Sequence, residues 1–83
     1  MLRNTLATNI VYYRLKNGWS QEVFAEKLGT TTTYLSSLEN SKRNTGIDYI
    51  EHLSNVLGIN PVQLLEEREP MLNKRIPRKL KNK

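Results

Sequence analysis

The sequence contains no cysteine and only one histidine, His52, among its 83 residues. The absence of cysteine excludes disulfide bonds, thiol nucleophiles and cysteine-based zinc sites. A single histidine does not form a zinc site unless several carboxylates converge on it. We therefore expect no cofactor and no metal site.

Long hydrophobic runs are also missing. No stretch approaches the about 18 consecutive apolar residues of a membrane-spanning helix, and the first residues show no apolar segment of a secretory signal. Hydrophobic residues make up 37% of the chain and aromatic residues 7%, which suits a compact helical core but not a deep catalytic cavity. The composition predicts a cytoplasmic binding domain with no membrane contact and no enzymatic activity.

The net charge of +5 is distributed unevenly along the chain. Residues 70–83 contain six lysines and arginines and no acidic residue, whereas residues 1–69 contain seven basic and eight acidic residues. The sequence thus divides into a nearly neutral body and a basic tail. A high overall charge alone would overstate the affinity of the body for nucleic acid.

The first three predicted helices follow from apolar spacing and from residues that begin or end helices. Apolar residues at helical spacing predict a first helix over about residues 4–17. Two shorter helices are predicted over residues 21–28 and 32–39, capped by the hydroxyls of Ser20 and Thr31.

Two further helices are predicted after a polar loop. Thr45 and Asp48 resemble a capping box, which predicts a fourth helix with Ile47 on its inward apolar face. Asn60, followed by proline and with Gln63 as its capping-box partner, predicts the start of a fifth helix that ends near Glu67. No strand pattern, internal repeat or phosphate-binding glycine loop is found. The predicted fold class is all-α, with five helices.

The second and third predicted helices have the pattern of a helix-turn-helix. A tight turn at Gly29 joins them, and the small residue Ala25 lies on the inner face of the first of the two. The outer face of the next helix would carry short hydroxyl side chains and no acid, as a helix in the major groove requires. These residues are Thr32, Thr33, Ser36 and Ser37. An exposed polar face of an ordinary helical bundle is the alternative.

Residues 9–65 also resemble the Cro/CI-type (lambda-repressor-like, XRE) helix-turn-helix domains of phage repressors and their bacterial relatives. The resemblance runs in order and without gaps, and it implies a five-helix domain over residues 1–69 that binds double-stranded DNA as a homodimer. The residues that carry it are Arg14, Gly18, Trp19-Ser20-Gln21-Glu22, Ala25, Leu28-Gly29, Tyr34-Leu35-Ser36, Leu38-Glu39-Asn40, Lys42-Arg43-Asn44 and Leu57-Gly58-Ile59.

The resemblance implies which side chains contact DNA. The outer face of the third helix would read base edges through Thr32, Thr33, Ser36 and Ser37. The backbone contacts would come from Gln21, Thr31, Tyr34, Asn40, Lys42, Arg43 and Asn44. None of the four base-reading side chains can make a bidentate contact, so we expect weaker direct readout and more dependence on DNA shape.

The resemblance also implies structural roles. Arg14 and Glu39 match a salt bridge between the first and third helices. Trp19 matches a core position, whereas Tyr12 and His52 are expected to be exposed. In the loop after the third helix, Ser41 replaces the usual glycine and Thr45 replaces a frequent proline. Dimerisation is predicted through Val62 and Leu65, which lie three residues apart on one face of the last helix.

The expected function is that of a transcriptional repressor or autoregulator that binds a two-fold symmetric operator. Alternatives within the same fold are a restriction–modification controller protein and an antitoxin, which would also bind a protein toxin. A protein-interaction module that does not bind DNA is a third possibility.

The basic tail, residues 70–83, is expected to be mobile without DNA and to act as an electrostatic arm on it, because its six like charges repel one another and phosphates would relieve that repulsion. A tail that only increases solubility, or a helix packed through Leu72 and Ile76, are the alternatives.

Overall fold

A computed structural model describes residues 2–69 of the protein, and every regular element in this range is helical. The elements are α1 (Leu2–Lys16), α2 (Gln21–Leu28), α3 (Thr32–Glu39), α4 (Ile47–Leu57) and a 3₁₀ helix (Pro61–Leu65). Within this range, no helix is both long and apolar enough to cross a membrane. The predictions for the basic tail concern residues outside the described part of the chain.

The caps of α2 and α3 are those that the sequence predicts. The Ser20 hydroxyl accepts a hydrogen bond from the backbone N–H of Val23, and the Thr31 hydroxyl accepts one from Tyr34, both at 3.1 Å. Each bond satisfies an N–H group that has no partner within its helix. Gly29 ends α2 with φ at 76°, in the left-handed region that strains other residues. The turn between the two helices is therefore set by local sequence.

The predicted start of α4 is wrong in two respects. The capping residue is Gly46, and no side chain caps the helix, while the Thr45 hydroxyl is buried without a hydrogen-bond partner among the described residues. Ile47 was expected to face the core but is 78% exposed. As the first residue of α4 it lies beyond the edge of the core, which the same helix reaches with Leu53 and Leu57.

The predicted fifth α-helix is instead a 3₁₀ helix of five residues. Its capping box at Asn60 forms as expected, but the backbone becomes extended at Glu66. The side-chain amide of Asn9 donates hydrogen bonds of 2.8 and 2.6 Å to the carbonyls of Leu64 and Glu66. Because a side chain from α1 occupies these carbonyls, the chain follows α1 rather than continuing as a helix.

The core draws one fully buried side chain from each of the five elements. These residues, each 0% exposed, are Ile10, Phe24, Leu35, Leu53 and Leu64, and they belong to one hydrophobic cluster. Burying a side chain of this size contributes about 1.5–3 kcal/mol. The position of α3 therefore depends on the packing of the whole domain.

The chain after the 3₁₀ helix packs on α1 through Arg68. Its guanidinium carbon lies 3.8 Å from the ring centroid of Tyr12, and its side chain donates hydrogen bonds to Asn9 at 2.8 Å and to the Tyr13 hydroxyl at 3.2 Å. The expectation that Tyr12 is exposed is wrong: its ring is half-buried because this segment packs across it.

We predict that Asn9→Ala lowers the free energy of unfolding by about 1–3 kcal/mol, since buried carbonyls would lose their donor. Asn55→Ala is the matched control, because Asn55 is exposed on α4 and its replacement changes helix propensity in the same way. Urea denaturation measures both variants, and the control should stay within about 0.5 kcal/mol of the wild type. Equal stability of the two variants would contradict this role of Asn9.

Candidate nucleic-acid interface

The helices α2 and α3 are joined by residues 29–31, which form a tight turn. The N–H of Thr30 donates to the carbonyl of Ala25 at 2.9 Å, and the Ala25 side chain is buried on the inner face of α2. A small residue at this position lets the second helix cross close to the first. This geometry is a helix-turn-helix.

A buried ion pair fixes the end of α3 to α1. The Arg14 Nε lies 2.7 Å from Glu39 Oε2, and Arg14 Nη2 lies 3.2 Å from Glu39 Oε1, so the contact is bidentate. The two residues are only 2% and 3% exposed. Arg14 also donates to the backbone carbonyl of Trp19 at 2.9 Å. The structure thus contains the Arg14–Glu39 salt bridge that the resemblance implies. The contact with Trp19 links this pair to the turn between α1 and α2.

Gln21, the expected phosphate ligand, belongs to the same network. Its side-chain amide donates to Glu39 Oε1 at 2.8 Å. The amide nitrogen carries two N–H donors, and this bond uses one of them. Gln21 is half-buried, at the start of α2. A contact between Gln21 and a phosphate stays a prediction, but the side chain that would make it is held in place by Glu39.

The four expected base-reading residues lie along α3, but they differ in their surroundings. Thr32 and Thr33 are exposed, whereas Ser36 and Ser37 are half-buried and hydrogen-bonded. The Ser37 hydroxyl donates to the Tyr34 carbonyl at 2.6 Å, and the Asn40 amide contacts both the carbonyl and the hydroxyl of Ser36. A place on the outer face of α3 predicts that Ser37 points to solvent, and this prediction is wrong because its hydroxyl satisfies a backbone carbonyl within the helix.

The loop after α3 places its polar residues on the outside. Asn40, Lys42, Arg43 and Asn44 are all exposed. Ser41 adopts φ of 61°, the left-handed conformation in which a non-glycine residue costs about 1–2 kcal/mol. This strain explains why glycine is usual here in the domains that the sequence resembles. The loop keeps its path through backbone bonds from Ser41 and Lys42 to the last turn of α3.

Arg43 turns back onto α3, which the sequence did not predict. Its Nε donates to the Ser37 hydroxyl at 3.0 Å, and its guanidinium carbon lies 5.0 Å from the ring centroid of Tyr34. The sequence places Arg43 six residues from Ser37, in a loop, so that neither helical spacing nor charge indicates this contact.

Aromatic residues hold α3 against the rest of the domain. The rings of Tyr34 and Tyr49 meet edge to face at 5.6 Å, and burial raises the pKa of Tyr49, as does the neighbouring Tyr34. His52 was expected to be exposed, but its Nε2 lies 2.9 Å from the Leu28 carbonyl and its ring packs on Tyr49. It therefore ties α4 to the end of α2. Trp19 packs on the core as predicted.

The outer face of α3 carries no exposed negative charge. Glu39 is the one acidic residue of the helix, and it is buried in the ion pair. Lys42 and Arg43 follow directly in the loop. Within residues 2–69, no three histidine, aspartate or glutamate side chains come together as a metal site would require. The surface of α3 thus combines hydroxyl groups with adjacent positive charge, which suits contact with a nucleic acid.

We predict that Glu39→Gln lowers the free energy of unfolding by about 3–5 kcal/mol, because it leaves the Arg14 charge buried without a counter-charge. Glu51→Gln, at an exposed position of α4, is the control and should change stability by less than about 0.5 kcal/mol. Chemical denaturation of both variants decides the outcome. A loss no larger than that of the control would show that the pair is not needed for stability.

Comparison with known proteins identifies relatives over most of the described chain. A family model described as helix-turn-helix (HTH_3) matches residues 10–64. A hypothetical transcription factor of Neisseria meningitidis serogroup B is 39% identical over 64 residues, which cover 77% of this chain and 60% of the relative. The HTH-type transcriptional regulator SinR of Bacillus subtilis is 38% identical over 64 residues, which cover 76% of this chain and 58% of SinR. The chain thus spans about three-fifths of the length of these two relatives.

Two solved structures have the same fold. The hypothetical transcription factor NHTF from Neisseria superposes with a TM-score of 0.77 at 37% identity, covering 81% of this chain and 77% of that one. The restriction-modification controller protein C.AhdI of Aeromonas hydrophila superposes with a TM-score of 0.70 at 27% identity. The match covers 75% of this chain and 94% of C.AhdI. With the tight α2–α3 turn and the matched residues, these similarities show that the chain belongs to the XRE-like helix-turn-helix family.

Proposed function

We propose that this protein is a sequence-specific transcriptional regulator that acts in the cytoplasm by placing α3 in the major groove of double-stranded DNA. The observation that carries the proposal is the position of α3: the buried Arg14–Glu39 pair holds the helix by its inner side, and its outer side presents hydroxyl groups beside Lys42 and Arg43. The transcriptional regulators among the relatives support the same reading.

The DNA contacts in this proposal divide into two groups. Thr32 and Thr33 have exposed hydroxyl and methyl groups that suit base edges, with Ser36 and Ser37 next to them along the helix. The backbone contacts come from residues on either side of α3, where exposed or half-exposed polar groups could reach phosphates. They are Gln21, Thr31, Tyr34, Asn40, Lys42 and Asn44.

The proposed regulator binds a two-fold symmetric operator as a homodimer. Val62 and Leu65 are 65% and 40% exposed. Leu2 and Ile47 are also exposed, and together with Leu65 they line one groove. An apolar patch of this kind marks an interaction surface, and in a two-fold dimer the same patch is buried on both subunits.

Control of restriction–modification genes is a second candidate function. The structural match to C.AhdI covers 94% of that protein, and the control protein C.BamHI of Bacillus amyloliquefaciens is 39% identical over 51 residues. The similarity to C.AhdI favours this candidate, since the part of this chain that matches it covers nearly the whole of a controller protein. No relative reported above favours an antitoxin with a protein partner.

We predict that Thr32→Ala weakens binding to the selected operator by about 1 kcal/mol or more and leaves non-specific binding nearly unchanged. Lys42→Ala should weaken binding to all sequences and lower the salt slope by about 1, because it removes a phosphate contact. Both residues are exposed, so the variants should fold. Selection from randomised duplex DNA, followed by gel shifts at several salt concentrations, provides the operator and the affinities.

The proposed function would be rejected if the wild-type chain enriched no sequence from the randomised pool. If Thr32→Ala, like Lys42→Ala, weakened binding to operator and non-operator DNA equally, Thr32 would not read bases.

We predict that Val62→Asp and Leu65→Asp each give a folded monomer with much weaker operator binding, because a buried charge would oppose the two-fold contact. Val23→Asp is the control, since Val23 is an exposed apolar residue of α2 and belongs neither to the 3₁₀ helix nor to the groove, and it should leave the dimer intact. Sedimentation at tens of micromolar measures the oligomeric state. A wild-type monomer both with and without operator would contradict the dimer.

A further inference from the structure

We infer that Arg43 reads a guanine base in the major groove and is the main specificity-determining residue of this interface. The inference rests on the proposed function, in which α3 lies in that groove. The outer face of α3, which would read the bases, carries only short hydroxyl groups. They belong to Thr32, Thr33, Ser36 and Ser37. None of these side chains offers the two parallel donors that distinguish guanine from the other bases.

Two contacts hold the Arg43 guanidinium against α3. The Ser37 hydroxyl donates its proton to the Tyr34 carbonyl at 2.6 Å, so its oxygen is turned to accept from Arg43 Nε, at 3.0 Å. The guanidinium carbon also lies 5.0 Å from the centre of the Tyr34 ring, within the range of a cation–π contact. Tyr34 is itself packed edge to face on Tyr49. The arginine side chain is therefore positioned before any DNA arrives.

The position of Ser37 brings the guanidinium to the reading face. Ser37 lies one helical turn after Thr33, so that the two residues share a side of α3. A guanidinium that is hydrogen-bonded to Ser37 therefore lies on the same side of α3 as Thr33, one turn closer to the end of the helix. Lys42, although adjacent in sequence, is exposed and makes no side-chain hydrogen bond to the described residues. The two basic residues of the loop therefore have different surroundings.

The free donors of Arg43 match guanine. Its Nε is engaged by Ser37, while Nη1 and Nη2 make no hydrogen bond within residues 2–69. Guanine presents two acceptors, O6 and N7, at its major-groove edge, whereas adenine presents a donor beside N7. A planar fork of two N–H groups therefore fits guanine and meets a donor on adenine. Because the side chain is already ordered, less conformational entropy is lost on binding.

The test replaces single guanines of the selected operator by 7-deazaguanine, which lacks the N7 acceptor. The wild-type chain should lose about tenfold in affinity at one guanine in each half-site, the size of one hydrogen bond from a charged donor. Arg43→Ala should bind the unmodified operator more weakly and show less than about a twofold effect at that guanine. Lys42→Ala is the matched control and should keep the full tenfold sensitivity. Ser37→Ala should reduce the sensitivity, because it removes the partner that orients Nε.

The alternative is that Arg43 contacts a phosphate. In that case Arg43→Ala would retain the wild-type sensitivity at every guanine and weaken all sequences alike, which would overturn the inference while leaving the proposed function intact. A wild type that shows sequence preference without sensitivity to any 7-deazaguanine would also overturn it. A wild type that selects no sequence at all would reject the proposed function and the inference together.

Discussion

The buried contact between Arg14 and Glu39 is the interaction on which the candidate interface depends. It joins the last turn of α1 to the last residue of α3 through two hydrogen bonds, and the same carboxylate accepts a hydrogen bond from the amide of Gln21 at the start of α2. Removing two charges from water is costly, and such pairs contribute little net stability compared with apolar packing. Their geometry, however, is strict, because each donor must meet its acceptor. The network therefore fixes the direction of α3 and the position of Gln21 together.

Apolar packing supplies most of the stability, since every element contributes a fully buried side chain to one cluster. The position of α3 therefore depends on the other helices. Its Leu35 and Leu38 are buried on its inner side, and its Tyr34 packs on α4. The outer side is consequently free for contact with a partner. A short helix of eight residues would not be stable alone, and it exists here because its inner side packs in the core of the domain.

The chemistry of the outer side explains how this interface could recognise DNA. Small hydroxyl side chains allow a close approach to base edges but discriminate weakly among them. The loop that follows α3 supplies what the helix lacks, as it returns a guanidinium to the helix at Ser37. The described residues carry seven basic and eight acidic side chains, so the placement of the Arg43 and Lys42 side chains matters more than net charge.

The sequence by itself determined the all-helical fold, the α2–α3 turn, the caps at Ser20 and Thr31 and the family, because these features depend on local patterns of a few residues. It also indicated the Arg14–Glu39 pair, through resemblance. It did not determine the cap of α4, the exposure of Ile47, the end of the 3₁₀ helix or the partners of His52, Tyr12 and Arg43. The end of the 3₁₀ helix and the partners of His52 and Tyr12 depend on contacts between residues far apart in the chain. Asn9 meets the carbonyls of Leu64 and Glu66 only after the elements have packed, and such contacts override local preference because buried polar groups must find partners.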